Sequence, residues 1–194
     1  IIKNFVVPLL GEHNIKNILA SISITRGLKI PYSKIKQSLK NFEGVKRRFS
    51  IIYRKNNNLV IDDYAHHPVE ISSTITSLRS ITKKKIITVF EPHRYSRLSE
   101  MFEQFLNSLS KSDEIFILPV YNAGEKKINK IDSSYLFNKL RKKYKNKYIY
   151  LSSDIKKTFN VLKKNISPGD NVIFLGAGLS SRFAYNFSDF LLKN

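Results

Sequence analysis

The sequence contains no cysteine, which excludes a disulfide scaffold, a thiolate zinc site and thiol catalysis together. Long hydrophobic runs are also missing. Stretches such as Ile86-Ile87-Thr88-Val89-Phe90 and Val172-Ile173-Phe174-Leu175 last a few residues, against the roughly 20 needed to span a bilayer as a helix. No membrane association is expected. Acidic residues are scarce, 15 against 34 Lys and Arg, leaving a formal net charge of +19. The opening Ile1-Ile2-Lys3-Asn4 has no initiator methionine and lacks the charged and apolar regions of a secretory signal. It reads as the start of a fragment whose beginning is missing. What is present is foldable: 194 residues, 42% hydrophobic and 12% aromatic, exclude bulk disorder and suit one domain with a piece of a second.

The positive excess invites a nucleic-acid reading through phosphate neutralisation. Most of it, however, is Lys spread through segments rich in Ile and Asn, such as Lys139 to Lys147, and no nucleic-acid-binding motif accompanies it. Solvated surface is the simpler account, and no nucleic-acid partner is expected. A positive field equally suits anionic small molecules such as nucleotides.

Val6 to Leu10 reads as a short buried strand ending at Gly11, followed by a helix carrying Ile15, Ile18, Leu19 and Ile22 and stopping at Gly27. A second helix is expected from Tyr32 to Phe42, then a linker at Glu43 to Lys46. Beyond it the pattern changes to short apolar strands alternating with amphipathic helices. Strands are expected at Arg48–Arg54, Leu59–Asp63, Lys85–Glu91, Glu114–Val120, Tyr148–Leu151 and Asn171–Leu175. Helices are expected from Pro68, through Leu98 to Leu109, near Ser133–Lys142, over Asp154–Lys164 and around Phe183 to Leu191. That alternation predicts an α/β, Rossmann-like open sheet with helices on both faces, whose ligands sit beyond the carboxyl ends of the strands.

All four histidines fall just after predicted strands: His13, then His66 and His67, then His93. Scattered core histidines would not cluster so. Asp62, Asp63, His66 and His67 have metal-ligand chemistry without a diagnostic spacing, and a strand-end carboxylate can equally accept from ribose hydroxyls. Arg94 and Arg97, three apart, would emerge from one helix face and could clamp a small carboxylate. Asn14 and Asn17 have the same spacing and could read a purine edge, with helix capping the alternative for Asn14. Gly176-Ala177-Gly178 is either a phosphate turn or simply a tight one.

Taken in order, Gly11-Glu12-His13-Asn14-Ile15-Lys16-Asn17, Gly44-Val45-Lys46-Arg47-Arg48-Phe49, Asp62-Asp63-Tyr64-Ala65-His66-His67-Pro68 and Pro92-His93-Arg94-Tyr95-Ser96-Arg97 resemble the downstream half of the Mur ligases along essentially the whole chain. The last two segments are most similar to members that join L-alanine to UDP-N-acetylmuramate. Members that recycle a murein tripeptide share the His-His-Pro segment and are one alternative, and a non-enzymatic nucleotide- or nucleic-acid-binding module is the other. The resemblance implies the helical end of a P-loop ATPase central domain over residues 1–46 and a Rossmann-like C-terminal domain over 47–194. It also implies a cytoplasmic ATP-dependent amide ligase of peptidoglycan precursor synthesis, working through an acyl phosphate of the muramate carboxylate. Residue by residue, it assigns Asn14 and Asn17 to adenine, and Arg48, Asp62 and Asp63 to the phosphates and ribose. Tyr64 and His66 would line the alanine and acyl-phosphate side, and His93, Arg94 and Arg97 would hold the alanine carboxylate, with His66, Arg94 and Arg97 the catalytic set. The family's Gly-x-x-Gly-Lys-[Ser/Thr] loop is absent from this sequence, and its Mg2+ ligands and UDP-binding domain are expected upstream. This chain alone is therefore expected to be inactive. Leu179-Ser180-Ser181 departs from the family's usual continuation.

Overall fold

In the computed structural model, which describes residues 5–7, 9, 11–42 and 44–193, the chain divides into two units, Ile1–Lys46 and Arg47–Asn194. The first consists of α1 (Glu12–Gly27) and α2 (Tyr32–Lys40) with their flanking segments. Gly11, at φ 96°, turns the chain into α1, and extended Pro31 starts α2. Of its apolar side chains only Ile35 is buried among the described residues, while Ile15 and Leu19 are 56% and 58% exposed. The strand expected from Val6 to Leu10 does not form over residues 5–7 and 9, and Pro8 and Leu10 lie outside the described residues. Apolar runs become strands only when a neighbour supplies ladder hydrogen bonds, and no described segment pairs with this one.

The second unit is built on a six-stranded sheet in the order β1-β2-β6-β3-β4-β5. Its strands are β1 (Ser50–Lys55), β2 (Asn58–Asp63), β3 (Ile86–Phe90), β4 (Glu114–Ile117), β5 (Tyr148–Leu151) and β6 (Asn171–Leu175). Its helices are α3 (Pro68–Ile81), α4 (Tyr95–Glu100), α5 (Phe102–Leu109), α6 (Ser133–Lys143), α7 (Ile155–Asn165) and α8 (Ser180–Lys193). The β1–β2 pair is an antiparallel hairpin, and every other pairing is parallel. Asn56 and Asn57 make the hairpin turn at φ 53° and 62°, a left-handed conformation that asparagine tolerates well.

Side-chain alternation along the central strands divides the interior into two layers. Ile61, Ile86, Phe90, Ile115, Ile117, Ile173 and Leu175 face α3, α5 and α6, meeting Ile71, Ile75, Phe105 and Leu136. The intervening Val60, Ile87, Val89, Phe116, Val172 and Phe174 face α7 and α8, meeting Phe159, Leu162 and Phe187. The single helix expected through Leu98 and Leu109 is interrupted at Met101, at φ −114° and ψ 24°. The break costs no burial, because Leu98, Phe105 and Leu109 all remain inward. Strand β4 ends at Ile117, short of the expected Val120, because the chain there turns toward the end of β3. No helix among the described residues is long and apolar enough to cross a membrane.

Strand order places the crevice. β2 and β3 lead to α3 and α4 on one face of the sheet, whereas β6, lying between them, leads to α8 on the other. Neighbouring strands whose connections part to opposite faces leave an opening beyond their carboxyl ends.

Candidate functional site

At the end of β2, Asp63 turns back on the chain. Its Oδ1 accepts from the Ala65 N–H at 2.7 Å and its Oδ2 from the Phe49 N–H at 2.8 Å. Asp62 accepts from the Ser181 hydroxyl at 2.6 Å. Both carboxylates are buried, and burial raises both above the ordinary value, against the hydrogen bonds and arginine charges that pull them down. Asp63 shapes the turn that presents Tyr64 to His66, and Asp62 Oδ2 ties β2 to α8 while its buried Oδ1 has no hydrogen-bond partner among the described residues, so the ribose and phosphate roles expected for this pair rest on the resemblance alone. The same geometry removes Asp63 from the metal-ligand quartet, and among the described residues no three His, Asp or Glu side chains converge as a metal site.

His67 caps α3, its Nδ1 accepting from the Val69 N–H at 3.3 Å. Glu70 returns the bond, Oε2 accepting from the His66 and His67 N–H groups at 3.1 and 3.2 Å. This capping box, followed by Pro68 at the first helical position, aims the two imidazoles apart. His67 serves the helix. His66 faces the crevice, with Nδ1 3.0 Å from the Tyr64 carbonyl and 3.6 Å from Glu70 Oε2. In the neutral form of this ring, an Nδ1–H donated to that carbonyl leaves Nε2 with a lone pair.

From β3 the chain continues through buried Glu91 and Pro92 to His93. Arg97, one turn into α4, donates from Nη1 to His93 Nδ1 at 3.3 Å and to the His93 carbonyl at 3.4 Å. Nδ1 is thereby an acceptor, and the ring proton lies on Nε2. Burial, then the charges of Arg97, His66 and Arg94, hold this imidazole below its ordinary value, with Glu125 opposing them. Arg94 does not share a helix face with Arg97. It precedes α4 at φ 72° and is exposed, because the chain must reverse there to let its N–H reach the Tyr121 carbonyl at 2.8 Å.

Tyr64, His66, His93 and Tyr121 form a continuous line of rings, with successive centroids 5.1, 5.6 and 5.3 Å apart. Arg47 and Arg48 lie 4.7 and 5.5 Å from the Tyr64 ring, and Arg48 also approaches Glu70 at 4.0 Å. The line thus presents a neutral imidazole N–H, a guanidinium and an imidazole lone pair within a few ångströms, equipment for an anionic group and a proton acceptor side by side. Tyr121 was missing from the expected set, although it too follows a strand end. Asn14 and Asn17 stand on α1 of the first unit, Asn14 half-buried and Asn17 exposed. The side chains of Glu12 and His13 lie outside the description.

Residues 47–178 match the family model described as Mur ligase, glutamate ligase domain. Over all 194 residues the chain is 38% identical to the UDP-N-acetylmuramate--L-alanine ligase of Desulforapulum autotrophicum, of which it spans 41%. The crystal structure of the UDP-N-acetylmuramate-alanine ligase MurC from Thermotoga maritima matches 96% of this chain with 39% of its own, at 26% identity and a TM-score of 0.81. The MurF ligase of the same organism, in complex with ADP, shares the fold over 94% of this chain and 39% of its own, at 20% identity and a TM-score of 0.68.

Proposed function

The chain belongs to the Mur ligase family, and on that premise we propose that it supplies the amino-acid side of an ATP-dependent amide ligase joining L-alanine to UDP-N-acetylmuramate in cytoplasmic peptidoglycan precursor synthesis. The observation that carries this reading is Arg97 seated on the Nδ1 and carbonyl of His93, next to a His66 ring whose Nε2 is left to accept a proton. A small α-amino acid brings a carboxylate and an amine a few ångströms apart. Arg97 and the His93 Nε2–H pair with the carboxylate by charge-assisted bonds. His66 takes the proton that the amine must lose.

ATP supplies the phosphoryl group that activates the muramate carboxylate. The amine nitrogen then bonds to the acyl carbon, the carbon–oxygen bond to phosphate breaks, and the departing N–H proton goes to His66 Nε2. Tyr64 walls this pocket and Arg94 adds positive charge at its mouth. Arg48, 54% exposed, is assigned to the phosphates, and Asn14 and Asn17 to the adenine edge. On the family resemblance the Mg2+ ligands and the phosphate loop are assigned to the upstream part of the whole enzyme, and no step here runs through the ion.

The test uses the full-length protein. Arg97→Ala should raise the KM for L-alanine about 10- to 100-fold, the worth of one or two charge-assisted hydrogen bonds, while the KM for ATP moves less than about threefold on the same reasoning. Equal effects on both substrates would sink the carboxylate role. ADP release that depends on a murein tripeptide instead of alanine would transfer the assignment to a recycling ligase.

A further inference from the structure

The motifs do not point to Tyr121, yet three separate features converge on it. Its backbone is pinned beside His93: the Tyr121 N–H donates to the Pro92 carbonyl and the Arg94 N–H to the Tyr121 carbonyl, both at 2.8 Å. Its ring stacks on the His93 imidazole, 5.3 Å between centroids and 26° between planes. The same ring is packed so closely on Gly178 that a Cβ there would lie 2.5 Å from Tyr121 Cγ and 2.7 Å from Cδ2.

The turn after β6 thus seats the Tyr121 ring, and the N–H groups of Gly178 and Leu179 donate to the two oxygens of Glu91 at 2.9 Å each. Four residues beyond Tyr121, Glu125 accepts from the Ser96 hydroxyl at 2.6 Å and from the Ser96 N–H at 3.1 Å, anchoring the same segment to the start of the helix that carries Arg97. The χ2 torsion of histidine is broad and roughly two-fold, so the backbone alone does not fix where Nδ1 points. A flat neighbour fixes the ring plane, and the Arg97 Nη1 donor selects the flip that turns Nδ1 toward it.

We propose that Tyr121 is a positioning residue for the amino-acid carboxylate, setting the plane of His93 and through it the place of Arg97, and that Gly178 is the seat on which the Tyr121 ring rests. This rests on the substrate pocket proposed above. Contact with the substrate is not part of the role, which passes entirely through His93.

The experiment compares Tyr121→Ala, Tyr121→Leu, Tyr121→Phe and Gly178→Ala in the full-length protein, with Arg97→Ala as reference. Tyr121→Leu fills the seat without a flat ring and guards against a folding defect in the alanine variant. Loss of positioning worth one hydrogen bond raises the alanine KM about tenfold, leaves the ATP KM within about twofold, and is rescued by Tyr121→Phe. Added to Arg97→Ala, Tyr121→Ala has a smaller effect than in the parent, because the part of its role that passes through Arg97 is already lost and only the His93 Nε2–H remains to be misplaced. Independently of turnover, histidine NMR should show the His93 titration rising toward its ordinary value in Tyr121→Ala as the ring is uncovered. The groups facing His93 would all remain: Arg94 and Arg97 by α4, His66 after β2 and Glu125 after β4. An unchanged alanine KM with an unchanged His93 titration overturns the inference, as does full additivity with Arg97→Ala. If instead Arg97→Ala itself spares the alanine KM, the pocket assignment falls, and the His93 titration still decides whether Tyr121 governs that ring.

Discussion

Glu91 is 3% exposed and gathers the N–H groups of Gly178, Leu179 and Ser180, a cluster of donors at the start of α8. Burial raises its pKa above the ordinary 4.5, against those three bonds and the charge of Arg47. The sign of the consequence is fixed by linkage. Between 4.5 and the raised folded value the native state binds more proton than the unfolded chain, so Glu91 makes stability fall as pH rises through that window. Asp62 and Asp63, raised by the same cause, act in the same direction. Urea midpoints measured across this window should therefore slope less steeply in Glu91→Gln than in the parent, and an unaltered slope would show that Glu91 does not titrate there. Glu91→Ala, which strands the donors, should cost about 3 kcal/mol at neutral pH. At this scale the sequence is legible where polar residues follow a strand, as with Tyr64, His66 and His93. It is illegible where a partner comes from afar: the Asp63 carboxylate is held by the N–H of Phe49, and a tyrosine such as Tyr121 looks like any residue at a sheet edge.

Among the elements, α3 shows how local chemistry aims a distant function. Pro68 announces its first turn, and the reciprocal bonds of His67 and Glu70 hold the backbone from which His66 projects. Burial of Glu70 tends to raise its pKa, but the N–H groups of His66 and His67 with the charges of His66 and Arg48 bring it below the ordinary 4.5. A lowered folded value gives stability that is complete above 4.5 and lost as pH falls through the folded value. Glu70→Ala should accordingly cost about 1 kcal/mol near neutrality, and its urea midpoint should converge on the parent's in acid. A constant difference at every pH would place the loss in packing instead of in the cap. Helical and strand periods gave most element positions within a few residues, because each is a local repeat. The interruption at Met101 leaves no mark on the sequence, because the inward pattern runs through it unbroken.

For the whole molecule the limiting information is long-range pairing. Asp62 lies opposite Phe174, and Phe90 opposite Leu175; no local period encodes that β6 inserts between β2 and β3, yet this insertion opens the crevice. The units also differ in how they can be stabilised. Both apolar layers of the sheet draw all their residues from the second unit, whereas the first buries only Ile35 among its described apolar side chains and leaves Ile24 and Leu28 65% and 70% exposed. A segment of that size seldom supplies more than about 3–5 kcal/mol even from a well-filled core, and this one has almost no core to fill. Residues 47–194 should therefore fold alone, with one cooperative urea transition of slope about 1–3 kcal/mol per molar, while a peptide of residues 1–46 should show no cooperative thermal transition by circular dichroism. If the peptide melts cooperatively, its few buried contacts are worth far more than their area. If 47–194 unfolds in two steps, the two layers are separate cooperative units, and a sheet whose every central strand feeds both would have to come apart one face at a time.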